Sequence, residues 1–122
     1  MAGLLQVDSL GFGSIVVGGE KHRRDVILLP GGALKHRRGG FRIFGSHNFK
    51  RHEIEELVEA GAEEIVAGTG THDKAGLSNE AKSHVEQAQL QLHSLPSYLA
   101  VPVFNRLVDQ GKTVAALVHV PC

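Results

Sequence analysis

The chain has 122 residues, 42% hydrophobic and 21% charged, with a formal net charge of zero; this is the composition of one globular domain over 1–122 and excludes a disordered chain. Its longest apolar stretches, such as Val114-Ala115-Ala116-Leu117-Val118, are too short to cross a bilayer, so no membrane partner is expected. The opening residues lack a cationic start and a long apolar core, and the single cysteine, Cys122, can form no internal disulfide; both features point to a cytoplasmic protein.

In chain order, Gly11-Phe12-Gly13-Ser14-Ile15-Val16-Val17 is strand-like. Gly18-Gly19 turns it towards a second strand at Asp25-Val26-Ile27-Leu28-Leu29, which predicts a hairpin with a loop. Pro30-Gly31-Gly32 stops that strand. The basic stretch Lys35-His36-Arg37-Arg38 reads as an exposed connection before a short strand-like run, Phe41-Arg42-Ile43-Phe44. Over 52–60, Ile54, Leu57 and Val58 recur at helical spacing, with Glu53, Glu55, Glu56 and Glu59 turned to solvent. Gly61 closes this helix, and a buried strand follows over 64–67.

Ser78 is the N-cap of a second helix, after which Gln89-Leu90-Gln91-Leu92-His93 alternates as a half-buried strand does. Beyond Pro96, Ala100, Val103, Phe104, Leu107 and Val108 form an amphipathic stripe. Either this third helix starts with Ser97 as its cap and carries Pro102 inside, or it starts at Pro102. Gly111 ends it, and 112–120 reads as a final buried strand. The order of elements predicts an α/β sandwich around a mixed central sheet.

Four separated pieces then line up: Phe12-Gly13-Ser14 with Asp25-Val26-Ile27; Gly45-Ser46-His47; Gly68-Thr69-Gly70; and Phe104-Asn105 with His119-Val120-Pro121-Cys122. In this order they resemble the small single-domain family that includes the adipogenesis-associated domain protein and relatives of the mitochondrial complex I assembly factor 3. The resemblance covers nearly the whole chain. It implies a three-layer α/β sandwich with a mixed, roughly five-stranded central sheet, one strand antiparallel, plus an accessory β-hairpin, and it implies no established enzymatic activity. Two positions depart from the family pattern: Phe104, where members usually carry tyrosine, and Pro102, which many members lack.

The candidate site residues begin with the loop Gly68-Thr69-Gly70-Thr71-His72, placed where a buried strand ends. Its glycines permit positive φ and close backbone approach, so exposed N–H groups can cradle a phosphate or carboxylate, with hydroxyls from Thr69 and Thr71. Ser46 and His47 are further candidates for this anion site. The alternative is a tight strand exit whose glycines avoid a clash. The loop lacks the lysine of a nucleotide P-loop and the third glycine of a dinucleotide fingerprint. The eight histidines show no zinc spacing, so no metal and no cofactor is expected. A thiolate pair of His119 with Cys122 is weighed against a buried, hydrogen-bonded His119.

Charge is unevenly distributed: residues 1–51 hold nine Lys/Arg against three Asp/Glu, and residues 52–122 hold four against ten. The basic patch Lys35, Arg37, Arg38, Arg42, Lys50 and Arg51, interleaved with Phe41, Phe44 and Phe49, has the charge and stacking groups of a nucleic-acid binder. It can equally pair with the acidic half, inside the domain or across a homodimer. Three functions therefore stand at this stage. The leading one is a non-catalytic cytosolic interaction module, an assembly or regulatory factor with a protein partner. The second is a small-anion-binding protein or enzyme using 68–72, and the third is a nucleic-acid binder.

Overall fold

A computed structural model of the chain describes residues 6–36, 51–69 and 78–120. A first, three-stranded sheet comprises β1 (Val7–Gly11), β2 (Ser14–Val17) and β3 (Glu20–His22) in that spatial order, every pair antiparallel. Gly18 and Gly19, at φ 56° and 84°, make the tight turn between β2 and β3. Two successive left-handed residues match the twist of the flanking strands.

The central sheet contains β4 (Val26–Leu28), β5 (Leu34–His36), β6 (Glu64–Gly68), β7 (Gln91–Leu95) and β8 (Val114–Val118), in the order β5-β4-β8-β6-β7. β6 runs parallel to both β7 and β8, whereas β4 is antiparallel to both β5 and β8. One strand, β4, thus opposes the other four. α1 (Arg51–Glu59) and α2 (Asn79–Gln87) cover one face, and α3 (Ser97–Asp109) with the first sheet covers the other. The division is strict along β8: Ala115 and Leu117 join the α1/α2 core, while Val114, Ala116 and Val118 join the α3 core.

The three-layer sandwich with a mixed five-stranded sheet is therefore as expected, but the hairpin is assembled differently. The chain reverses at Phe12-Gly13, where Gly13 takes φ 75°, so the first expected strand is split and β2 pairs with β1 and β3. The second expected strand joins the central sheet instead. Val26, Ile27 and Leu28 are all buried, and a strand apolar on both faces needs cover on both, which only an interior position supplies.

Other boundaries moved for local reasons. Lys35 and His36 lie in edge strand β5 rather than in a connection; the run expected at 41–44 lies outside the described residues. Glu53 is buried at 6% exposure. It sits one turn before Leu57 and beside Ile54, hence on the covered face of α1. Ser78 caps α2 as expected, its side chain accepting from the Ala81 N–H at 3.1 Å. The next strand begins two residues late because Gln89, at φ 57°, closes the helix. Its N–H donates to the Glu86 carbonyl and that of Leu90 to Val85. α3 starts at Ser97 with Pro102 inside it, but Pro96 stands at the N-cap, and the Ser97 hydroxyl bonds the His119 carbonyl instead of capping the helix. Pro102 and Tyr98 both face solvent, so the carbonyl that the missing N–H would have served lies on the exposed face of the helix.

Candidate functional site

β6 and β8 end side by side, at the carboxyl edge of the parallel strands where ligands gather in open α/β sheets. Gly68 is the last residue of β6, and its carbonyl accepts from the His119 N–H at 2.9 Å. Ser97, the first residue of α3, donates its hydroxyl to the His119 carbonyl at 2.6 Å. The His119 imidazole turns to Asp25, with Nδ1 2.9 Å from Oδ2. A carboxylate only accepts, so the ring proton sits on Nδ1. The other Asp25 oxygen accepts from the Val120 N–H at 2.9 Å. Both side chains are 13% exposed. One carboxylate just ahead of β4 thereby extends the β4/β8 pairing past the end of β8.

Thr69 continues the pattern on the other side. Its N–H donates to the Leu95 carbonyl at 2.8 Å and its hydroxyl to the same oxygen at 3.1 Å. Gly68 itself is not among the positive-φ residues. It is glycine for want of space: a Cβ there would lie 2.9 Å from Ser97 Oγ and 3.3 Å from Ser97 Cα. An imidazole oriented by a carboxylate is the geometry of a general base. The hydroxyls of Ser97 and Thr69 are both given to carbonyls, Ser97 to that of His119 and Thr69 to that of Leu95.

Of the residues singled out from sequence, Gly68 and Thr69 stand at this strand end, whereas Gly70, Thr71, His72, Ser46, His47 and Cys122 lie outside the described residues. So do Arg37, Arg38, Arg42 and Lys50. The two described members of the basic patch are paired with acids of α1: Lys35 with Glu56, and Arg51 with Glu55 at 2.9 Å. Sequence reasoning does not reach Asp25 and Ser97 as partners of His119. The available signal is that Asp25 is the only acid between Lys21 and Arg51 and directly precedes an all-apolar strand.

Among the described residues, no group of three or more His, Cys, Asp or Glu side chains is placed to hold a metal, and no helix is long and apolar enough to cross a membrane. Among the described residues, three large apolar side chains face solvent: Phe12 at 74%, Leu99 at 58% and Tyr98 at 45% exposure. β1 lies against α3. Gln6 bonds Asp109, and Asn105 bonds the Val7 backbone through both its amide nitrogen and its carbonyl oxygen, at the carboxyl half of the helix. Leu10 of β1 packs on the core that α3 shares with the first sheet.

These features define a three-layer α/β domain whose polar groups at the strand ends hold its layers together. The chain belongs to the family described as protein of unknown function (DUF498/DUF598), whose model matches residues 7–119. It is similar to the solved structure of MT938, at 28% identity and TM-score 0.75, covering 97% of this chain and 99% of that one. It also shares its fold with the conserved hypothetical protein PH1505 from Pyrococcus horikoshii, at 22% identity and TM-score 0.80 over 96% of this chain and 99% of that one. A third is a Mth938-like domain from Bordetella pertussis, at 15% identity and TM-score 0.65, with 93% of this chain and 84% of that one covered.

Proposed function

We propose that this chain is a non-catalytic protein-interaction module acting in the cytosol, of the kind that assembly or regulatory factors use. The observation that carries the reading is the exposure of Phe12 in the β1–β2 turn of the first sheet and of Tyr98 and Leu99 on α3, elements that share one core. Aromatic and aliphatic side chains left in water beside a well-packed core are what a partner surface buries. The commitment of Ser97, Thr69 and Asp25 to structural bonds supports the non-catalytic part.

The test is affinity capture from native extract with the wild type and with Phe12→Ser/Leu99→Ser, both shown to have the same urea midpoint. A protein retained by the wild type, lost with the variant, and rebound when purified supports the proposal. Identical retention by the two chains, with saturable small-molecule binding at the strand end instead, overturns it. The rival small-anion reading draws support from the place of Gly68 and Thr69 at the carboxyl end of a parallel strand.

A further inference from the structure

The first sheet also meets the edge of the central sheet at a polar contact distinct from the Asp25–His119 pair, although His22 lies only three residues before Asp25. His22 ends β3, in the first sheet, and His36 ends β5, at the edge of the central sheet. His22 Nδ1 lies 2.9 Å from His36 Nε2, with the ring centroids 5.0 Å apart at 64°. We propose that this pair is an acid-released clasp: it joins the edge strand to the first sheet while the two imidazoles share a proton, and opens when each ring carries its own charge.

The chemistry follows from the inventory of the ring. A hydrogen bond between two imidazole nitrogens needs one N–H and one lone pair. Two neutral rings satisfy this, and so does one neutral ring with one imidazolium. Two imidazolium rings cannot, because both nitrogens then carry hydrogen and the like charges stand within hydrogen-bonding distance.

The second ring nitrogen of His22 can take a proton without breaking the contact. His22 Nε2 is buried with no hydrogen-bond partner among the described residues, and Glu20 Oε1 lies 3.8 Å from it. A proton added there forms an ion pair with Glu20 and leaves Nδ1–H directed at His36. A first proton on that nitrogen keeps the clasp shut. The second must go to His36 Nε2, the acceptor, and that proton breaks it. Burial, then the positive charges of Arg24 and of His22, hold the His36 imidazole below the ordinary 6.5, against an opposing pull from Glu20. On the other side of β5, Lys35 is engaged by Glu56 of α1.

The experiment is an imidazole nitrogen NMR titration from neutral to acid pH, with a chelator present so that no adventitious metal bridges the rings, alongside amide protection factors of β5 corrected for intrinsic exchange. The expected result is a coupled titration in two steps, with the amides of β5 losing protection at the lower one. In His36→Gln, His22 should titrate in a single step and the loss of β5 protection at that pH should disappear. His22→Gln gives the converse control should the first variant fail to fold. Two independent single-step titrations in the wild type, or an equal loss of protection in the folded variant, overturn the clasp.

Discussion

Gly68 and Ser97 approach so closely that a Cβ on Gly68 would lie 2.9 Å from Ser97 Oγ, while that same hydroxyl donates to the His119 carbonyl. Strand, helix start and the exit from the neighbouring strand are therefore fitted around the absence of one methyl group. Gly68→Ala should cost about 1–3 kcal/mol through overpacking. In a double-mutant cycle with Ser97→Gly, the penalty of the added methyl should shrink, since the hydroxyl is the nearest obstacle. Denaturant midpoints check both; a Gly68→Ala protein as stable as the wild type would mean the approach is looser than described.

Asp25 holds both the His119 ring and the Val120 N–H just past the end of β8. Asp25→Ala should cost about 1.5–3 kcal/mol, because it strips a charged acceptor from both the His119 ring and the Val120 N–H. Urea unfolding measures the loss, and the His119 ring resonances should shift together with the Val120 amide. A change at only one of the two would contradict the shared-carboxylate geometry.

Phe104 is 3% exposed, in the core between α3, the central sheet and the first sheet. Phe104→Ala should cost about 3–5 kcal/mol, as large core truncations do. Thermal and chemical unfolding should agree on it.

Acid should weaken the domain partly through His36. Its proton is held less readily in the folded chain than in the unfolded one, so below the ordinary imidazole value of 6.5 the unfolded state carries more protons and stability falls with falling pH. The His36→Gln protein should show a shallower decline over that range. Equal slopes for the two proteins would remove His36 from the account.

An interaction module should be silent towards small anions. Titration with phosphate, a nucleotide or a small carboxylate should leave the Thr69 amide unmoved, since its N–H and hydroxyl are already held by Leu95. Saturable shifts at Thr69 and His119 would favour the small-anion reading instead.

What could be read in advance was whatever is decided within a few residues. The Ser78 cap and the stripe of Ala100, Phe104 and Leu107 are local, and they stand where the spacing placed them. Strand pairing is not local. Val26-Ile27-Leu28 follows the first hairpin in sequence, yet its ladder partners include Leu117 and Ala116, and no nearby residue announces this. The same holds for the strand end. Gly68 was visible as a glycine after an apolar run, but its reason is Ser97, and the partner of His119 is 94 positions away.

The position of β8 has a consequence for how the protein is made. This strand, the last of the described elements along the chain, lies between β4 and β6 and supplies both with a partner. During synthesis, residues 26–28 and 64–68 emerge first and wait with that flank of their ladders open. Only when 114–118 have left the ribosome can the two halves of the sheet close upon each other. Docking of the α/β half onto the early strands is then a late, long-range event, which makes slow folding and a need for protection of the nascent apolar strands the expected behaviour.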